Sequence, residues 1–285
     1  MIISVASGKG GTGKTTIAVS LALSLENVQF IDCDVEEPNA HIFLKPAIKE
    51  RKKAHVLVPE IDLAKCTFCG KCAQICVYNA LAVLPPADNN KKGNILVFEQ
   101  LCHSCGACTA LCPENAIKEV NREIGAIEYG SSIQMDFIHG KLNIGEAMSP
   151  PLIRQVKQQI NPEKTVIIDA PPGTSCPVIA SIQESDYSIL VTEPTPFGLN
   201  DLVLAVEVLR KLKIPFGVVI NRADLGNDKT EKYCQKEKIP ILMKVPFKKE
   251  IAQVYSKGEA LVQAFPEYRK EFRGIFETIK NAKPG

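Results

Sequence analysis

Residues 1–16 read MIISVASGKGGTGKTT, and the reading of this stretch decides the fold. Ile2 to Ala6 are a short, β-rich apolar run suited to a buried parallel strand. Gly8 to Lys14 crowd glycines into a turn, and Thr15 and Thr16 open a run, Ile17 to Leu25, that fits a helix. Strand, glycine-rich turn and helix in that order make a phosphate-binding unit, and Gly8 to Thr15 match the whole G-x-x-x-x-G-K-T pattern. Glycines let backbone N–H groups approach phosphate, and the helix N-terminus faces its negative charge. The nucleotide-contacting set is therefore Gly8, Lys9, Gly10, Gly11, Thr12, Gly13, Lys14, Thr15 and Thr16. Lys14 is placed to reach the β- and γ-phosphates of ATP, or the β-phosphate of ADP, and Thr15 to offer its hydroxyl to Mg²⁺.

The rest of the composition narrows the class. A chain of 285 residues with 45% hydrophobic content suits one large domain, or one with a smaller domain attached. No 18-residue apolar stretch predicts a membrane span, and the N-terminal apolar run leads straight into the glycine turn rather than into a signal-peptide pattern. A formal net charge of +2 argues for neither nucleic acid nor membrane as an obligatory partner. The expectation is a cytoplasmic protein.

Two acidic strand ends complete the candidate site. Val28 to Asp34 read as a strand ending in Asp32-Cys33-Asp34, and Thr165 to Ala170 as another leading into Asp169-Ala-Pro-Pro-Gly173. Parallel strands deliver functional side chains at their carboxyl ends, so Asp32, Asp34 and Asp169 are candidates for the Mg²⁺ and water side. Gly173 can aim its N–H at a γ-phosphate and respond to its loss. Tyr187 to Glu193, Phe216 to Asn221 and Ile239 to Val245 are further strands, with a helix from Leu199 to Leu212 between the first two. Asn221 offers a donor and an acceptor to the edge of adenine, Asp224 follows it, and Pro246-Phe247 begin a loop that can close over the base.

Cysteine is the compositional outlier, with 11 in the chain, eight of them between Cys66 and Cys112. They form two runs, Cys66-x-x-Cys69-x-x-Cys72-x-x-x-Cys76 and Cys102-x-x-Cys105-x-x-Cys108-x-x-x-Cys112-Pro113. This duplicated spacing predicts two [4Fe–4S] clusters, with structural zinc as the competing reading. Asn79-Ala80-Leu81 and Asn115-Ala116-Ile117 repeat in step, so the segment is an internal duplication.

The segment resembles the bacterial two-cluster ferredoxins, in which the fourth cysteine of each run serves the other cluster. That resemblance implies Cys66, Cys69, Cys72 and Cys112 on one cluster, and Cys102, Cys105, Cys108 and Cys76 on the other. The P-loop, with Lys9 five residues before Lys14, resembles the deviant Walker A (MinD/ParA/Mrp-like) ATPases, which include the nitrogenase iron protein and iron–sulfur carriers. In that family the residue matching Lys9 reaches across a dimer to the partner's nucleotide, the one matching Asp34 positions or activates the attacking water, and an Asp32 equivalent supports the metal shell. The family's asparagine matching Asn221 contacts the base.

Together these imply a doubly wound, mostly parallel α/β sheet with an inserted α+β ferredoxin-like domain. The expected boundaries are 1–59 and 120–285 for the ATPase and 60–119 for the insert. The implied functions are an ATPase coupling nucleotide state to electron transfer with a redox partner protein, an iron–sulfur assembly or delivery protein, or a nucleotide-dependent redox-sensing scaffold. A nucleotide-dependent homodimer is expected in the first. Cys33, Cys176 and Cys234 read as simple buried or semi-buried thiols, and the Lys49 to Lys53 run as a solvated surface. Phe265, Tyr268, Phe272, Ile275 and Ile279 read as the inward face of a terminal helix packed on the sheet rather than as a membrane anchor.

Overall fold

The structure is a computed structural model and describes residues 1–86, 93–133 and 135–281. Much of the Pro85–Gly93 loop lies outside those residues. The chain runs β1 (Ile2–Ala6), α1 (Lys14–Ser24), β2 (Val28–Asp32), α2 (Ala40–Leu44) and β3 (Ala47–Ile61). A small excursion follows, with α3 (Lys71–Ile75), β4 (Leu81–Leu84), β5 (Asn94–Val97) and α4 (Ala107–Ala110). The chain returns on β6 (Ile117–Ser132) and β7 (Met135–Leu142), then α5 (Pro150–Lys157), β8 (Thr165–Asp169), α6 (Cys176–Ile182) and β9 (Tyr187–Thr192). It ends with α7 (Pro196–Leu212), β10 (Phe216–Asn221), α8 (Lys229–Lys236), β11 (Ile241–Val245), α9 (Lys249–Ser256), α10 (Leu261–Ala264) and α11 (Tyr268–Asn281).

Nine strands form one sheet in the order β11-β10-β9-β1-β8-β2-β7-β6-β3. From β11 to β7 every pairing is parallel; β7–β6 and β6–β3 are antiparallel. The parallel strands are buried on both faces, which is why they read as continuous apolar runs. On one face α1, α10 and α11 pack through Ile17, Leu21, Val262, Phe272 and Ile279. On the other, α6 and α7 bury Val178, Ile182, Leu202 and Val206 against β9 and β10, and α5 buries Leu152, Ile153 and Val156 near β7.

Helix α11 lies against α1, with Tyr268, Phe272, Ile275 and Ile279 buried. Two of its basic side chains are spent on α1 as well: Arg269 Nη1 donates to Leu23 O at 2.9 Å and Arg273 Nε to Ser24 O at 2.9 Å. These are carbonyls that the end of a helix leaves without an intrahelical donor. Among the described residues no helix is long and apolar enough to cross a membrane.

The main departure from the sequence reading lies between residues 45 and 132. The charged Lys49–Lys53 run is exposed, but it belongs to β3, which pairs with β6 from Ala47↔Ser131 to Ile61↔Ile117. A charged two-stranded ribbon carries little apolar periodicity, so nothing in residues 47–53 marks them as strand. This ribbon runs unbroken through residues 59–60 and 119–120, so no separate ferredoxin domain is set off there. Besides α3 and α4, the described residues of the excursion at its tip form the two-stranded β4–β5 sheet and a small apolar cluster around Cys72, Leu81, Ile95 and Ile117.

Candidate nucleotide-binding site

The carboxyl ends of β1, β8 and β2 meet at one edge of the sheet, because these strands are parallel neighbours with β1 and β2 flanking β8. β1 delivers the glycine turn, and Gly13 stands in the left-handed conformation that closes it, φ 88°. A Cβ at Gly13 would collide with Asn221 Nδ2, and one at Gly8 with Asp201 of α7, so both positions require glycine. Lys14 begins α1 and Thr15 follows it.

Asp169, fully buried at the end of β8, receives both. Lys14 Nζ donates to Oδ1 at 2.8 Å and Thr15 Oγ1 to Oδ2 at 2.6 Å. Lys14 Nζ also lies 4.0 Å from Asp34 Oδ2. Burial works against the Lys14 charge, but Asp169, Asp34 and Asp32 outweigh it and hold the ammonium above its ordinary pKa. Asp34 is pushed up to about 6, chiefly by burial, with Lys14 opposing the rise.

Asp32 sits behind this pair. Its Oδ1 accepts the Asp34 N–H at 3.0 Å and its Oδ2 the Ala40 N–H at 3.1 Å, so it shapes the loop that presents Asp34. Burial and then the Asp169 charge push its carboxyl up to about 8.

A cavity of about 420 Å³ opens over these residues. Lys9, Gly10, Gly11, Gly13, Lys14, Thr15, Thr16 and Asp34 line one end, and Asn221, Pro246 and Phe247 the other. The remaining sequence candidates stand just outside it. Thr12 is buried and its carbonyl accepts from Asn221 Nδ2 at 2.8 Å. Gly173, at φ 101°, donates its N–H to Ser7 O at 2.9 Å, which ties the β8 loop to the start of the glycine turn. Asp224 Oδ1 accepts the Phe247 N–H at 2.6 Å and so holds the loop at the Pro246 end.

Sequence reasoning passed over Glu193 and Arg222. Glu193 directly follows β9, is buried, and binds Arg222 Nη1 at 2.6 Å, with Lys9 Nζ at 3.7 Å from its other oxygen. The rule that picked out Asp169, an acid at the carboxyl end of a core strand, applies equally to Glu193.

The cysteine expectation is corrected. Among the described residues, no group of three or more His, Cys, Asp or Glu side chains is disposed to hold a metal ion. This overturns the two [4Fe–4S] clusters on Cys66, Cys69, Cys72 and Cys112 and on Cys102, Cys105, Cys108 and Cys76. With them goes the basis for a resident redox function, for cluster-coupled catalysis and for an electron-transfer partner. The thiols line two pockets, Cys66, Cys69, Cys72 and Cys112 around one and Cys76, Cys102, Cys105 and Cys108 around the other. Backbone N–H groups of Phe68, Ala80, Ser104 and Ala116 contact the sulfurs of Cys66, Cys76, Cys102 and Cys112 at 3.3 to 3.5 Å. Burial pushes the Cys72, Cys102 and Cys108 thiols up. Of the other cysteines, Cys33 and Cys234 are buried, but Cys176 is exposed at the start of α6.

Magnesium fits the donor set better. Thr15 Oγ1 and Asp169 Oδ2 are hard oxygens, and Mg²⁺ commonly takes one or two protein groups, with phosphate oxygens and water completing its shell.

Comparison with known proteins bears on the family and the fold. The family model described as the CobQ/CobB/MinD/ParA nucleotide binding domain matches residues 3–262. An uncharacterized protein of Methanocaldococcus jannaschii is 31% identical over 99% of this chain and 97% of its own length. An iron–sulfur cluster carrier protein of Pyrococcus horikoshii is 25% identical over 86% of this chain and 73% of its own. The fold is similar to that of the septum site-determining protein MinD of Pyrococcus horikoshii, solved with Mg-ADP. The TM-score is 0.58 at 18% identity, over 98% of this chain and 96% of that one.

Proposed function

Because this chain belongs to the CobQ/CobB/MinD/ParA nucleotide-binding domain family, we propose that it is a Mg²⁺-dependent ATPase working as a two-copy nucleotide switch. The observation that carries the reading is the contact of Lys14 and Thr15 with buried Asp169 beneath the cavity. An incoming phosphate competes with Asp169 and Asp34 for the Lys14 ammonium. Thr15 and Asp169 are the groups to hold Mg²⁺, which when bound neutralises charge on the phosphate oxygens. Asp34 accepts the proton of a water that attacks the γ-phosphorus, giving ADP and inorganic phosphate. A carboxyl pushed up to about 6 is well matched to that work near neutral pH. The Gly173 N–H, held by Ser7 O, is the group that exchanges partners when a γ-phosphate arrives. Lys9 contributes charge to the nucleotide in the two-copy state. Asn221 and the Pro246–Phe247 loop receive the base.

The test is mass by light scattering with Mg²⁺ and either a non-hydrolysable ATP analogue or ADP. The analogue is expected to give two copies and ADP one, with Lys14→Ala remaining single in both. One unchanged mass under all conditions would sink the switch.

The names of relatives favour a second layer: iron–sulfur delivery, with the cluster as cargo rather than cofactor. Protein incubated anaerobically with iron and sulfide is then expected to activate an apo-acceptor enzyme. Failure to take up iron and sulfide, or uptake without transfer, would remove this layer and leave the ATPase reading intact.

A further inference from the structure

Lys9 is not loose at the cavity rim. Its ammonium lies 3.7 Å from Glu193 Oε2, and Arg222 Nη1 donates to Glu193 Oε1 at 2.6 Å. The Glu193 side chain is only 9% exposed, whereas that of Lys9 is 34% exposed. Both cations line the nucleotide cavity and the carboxylate stands behind them. Arg222 is anchored independently: it occupies the left-handed region at φ 52°, and its N–H donates to Asn221 Oδ1 at 3.0 Å. Asn221 in turn holds the Thr12 carbonyl of the glycine turn. One buried carboxylate thus serves two cations, the closer fixed by the base end of the site and the farther free to depart.

We propose that Glu193 is a positioning residue that latches Lys9 within its own copy, and that Arg222 sets how much of the Glu193 charge remains for Lys9. The inference rests on the reading above that Lys9 acts in nucleotide-dependent assembly. With Arg222 engaged, half of the carboxylate is committed and Lys9 is held weakly. With Arg222 withdrawn, the whole negative charge faces Lys9 and holds it more tightly. Contact of a nucleotide with Arg222 at the base end is thereby communicated to Lys9 at the phosphate end without any change in the glycine turn.

The sign of the effects makes the latch testable. Sedimentation velocity with Mg²⁺ and a non-hydrolysable ATP analogue gives the protein concentration for half-assembly. ADP affinity, measured well below that concentration, corrects for any change in nucleotide binding itself. Glu193→Gln is expected to lower the half-assembly concentration about fivefold, the scale of one modest ion pair. Glu193→Asp, which keeps the charge but shortens the reach, is expected to shift in the same direction by less. It also serves if the glutamine variant does not fold. Arg222→Ala is expected to raise the half-assembly concentration, the opposite direction. In a Lys9→Ala background neither Glu193→Gln nor Arg222→Ala should have any further effect. Shifts of the same sign in the Glu193 and Arg222 variants, or shifts that survive Lys9→Ala, would overturn the latch. If Lys9→Ala abolishes assembly but the Glu193 variants match the parent, the latch is wrong and the role of Lys9 stands. If the analogue assembles nothing, including the parent, the failure belongs to the switch itself.

Discussion

Asp34 carries two consequences that pull in opposite directions. Its carboxyl is pushed from 3.8 up to about 6 by burial, so its ionised form is disfavoured by the fold. With a folded-state pKa above the unfolded one, its contribution to stability is full below pH 3.8 and is lost as pH rises through about 6. Discounted for partial exposure, the cost at neutral pH is roughly 1–2 kcal/mol. Asp34→Asn is therefore expected to raise the urea midpoint at pH 8 and leave it unchanged at pH 4. The same variant should retain ATP binding and lose about 100-fold or more in phosphate release, the usual scale for removing a positioned base. In the parent, phosphate release should fall as pH drops through about 6. An Asp34→Asn variant that hydrolyses ATP at the parent rate would exclude the residue as the base. Gly13 is a simpler case. Gly13→Ala meets both a left-handed backbone and Asn221 Nδ2, and is expected to cost about 1–3 kcal/mol of stability, read as a lowered urea midpoint.

Helix α11 and the β3–β6 ribbon show what an amphipathic pattern reveals and what it hides. The terminal helix was legible because Tyr268, Phe272, Ile275 and Ile279 recur at helical spacing, and their burial against α1 and the sheet follows from it. Phe272 is fully buried, and Phe272→Ala is expected to destabilise the chain by about 3–5 kcal/mol, measured as a lowered urea midpoint with an unchanged slope. A loss below about 1 kcal/mol would mean that the helix is not a fixed part of the core. The β3 side of the ribbon was not legible. Residues 47–53 are exposed, so no alternation of apolar and polar side chains marks them as strand, and their pairing with residues 126–131 is long-range. The cysteine runs misled for a related reason. Spacing alone is a statement about loops, and it does not fix how thiols are disposed; among the described residues no three of them stand where they could hold a metal ion.

The whole molecule joins these parts through the order of its parallel strands. Glycine turn, Asp34 and Asp169 were readable as separate features, because each follows an apolar run and parallel strands place such ends on one edge. What no local pattern supplies is the adjacency of β9 to β1, which sets Glu193 beside Lys9, or the reach of Asn221 to Thr12. The resulting site has its ammonium already paired with two carboxylates, so it is built for a ligand that brings both phosphate and a divalent cation. Magnesium is accordingly expected to be required for productive ATP binding but to matter less for free ADP.

The most direct measurement is steady-state phosphate release from ATP at pH 8, with and without Mg²⁺, by the parent chain, Lys14→Ala and Asp34→Asn. The expected result is Mg²⁺-dependent release by the parent, none above background by Lys14→Ala together with loss of ATP binding, and binding without release by Asp34→Asn. A parent chain that binds Mg·ATP and never releases phosphate, or a Lys14→Ala variant that releases it as fast as the parent, would contradict the assignment of this site as an ATPase centre.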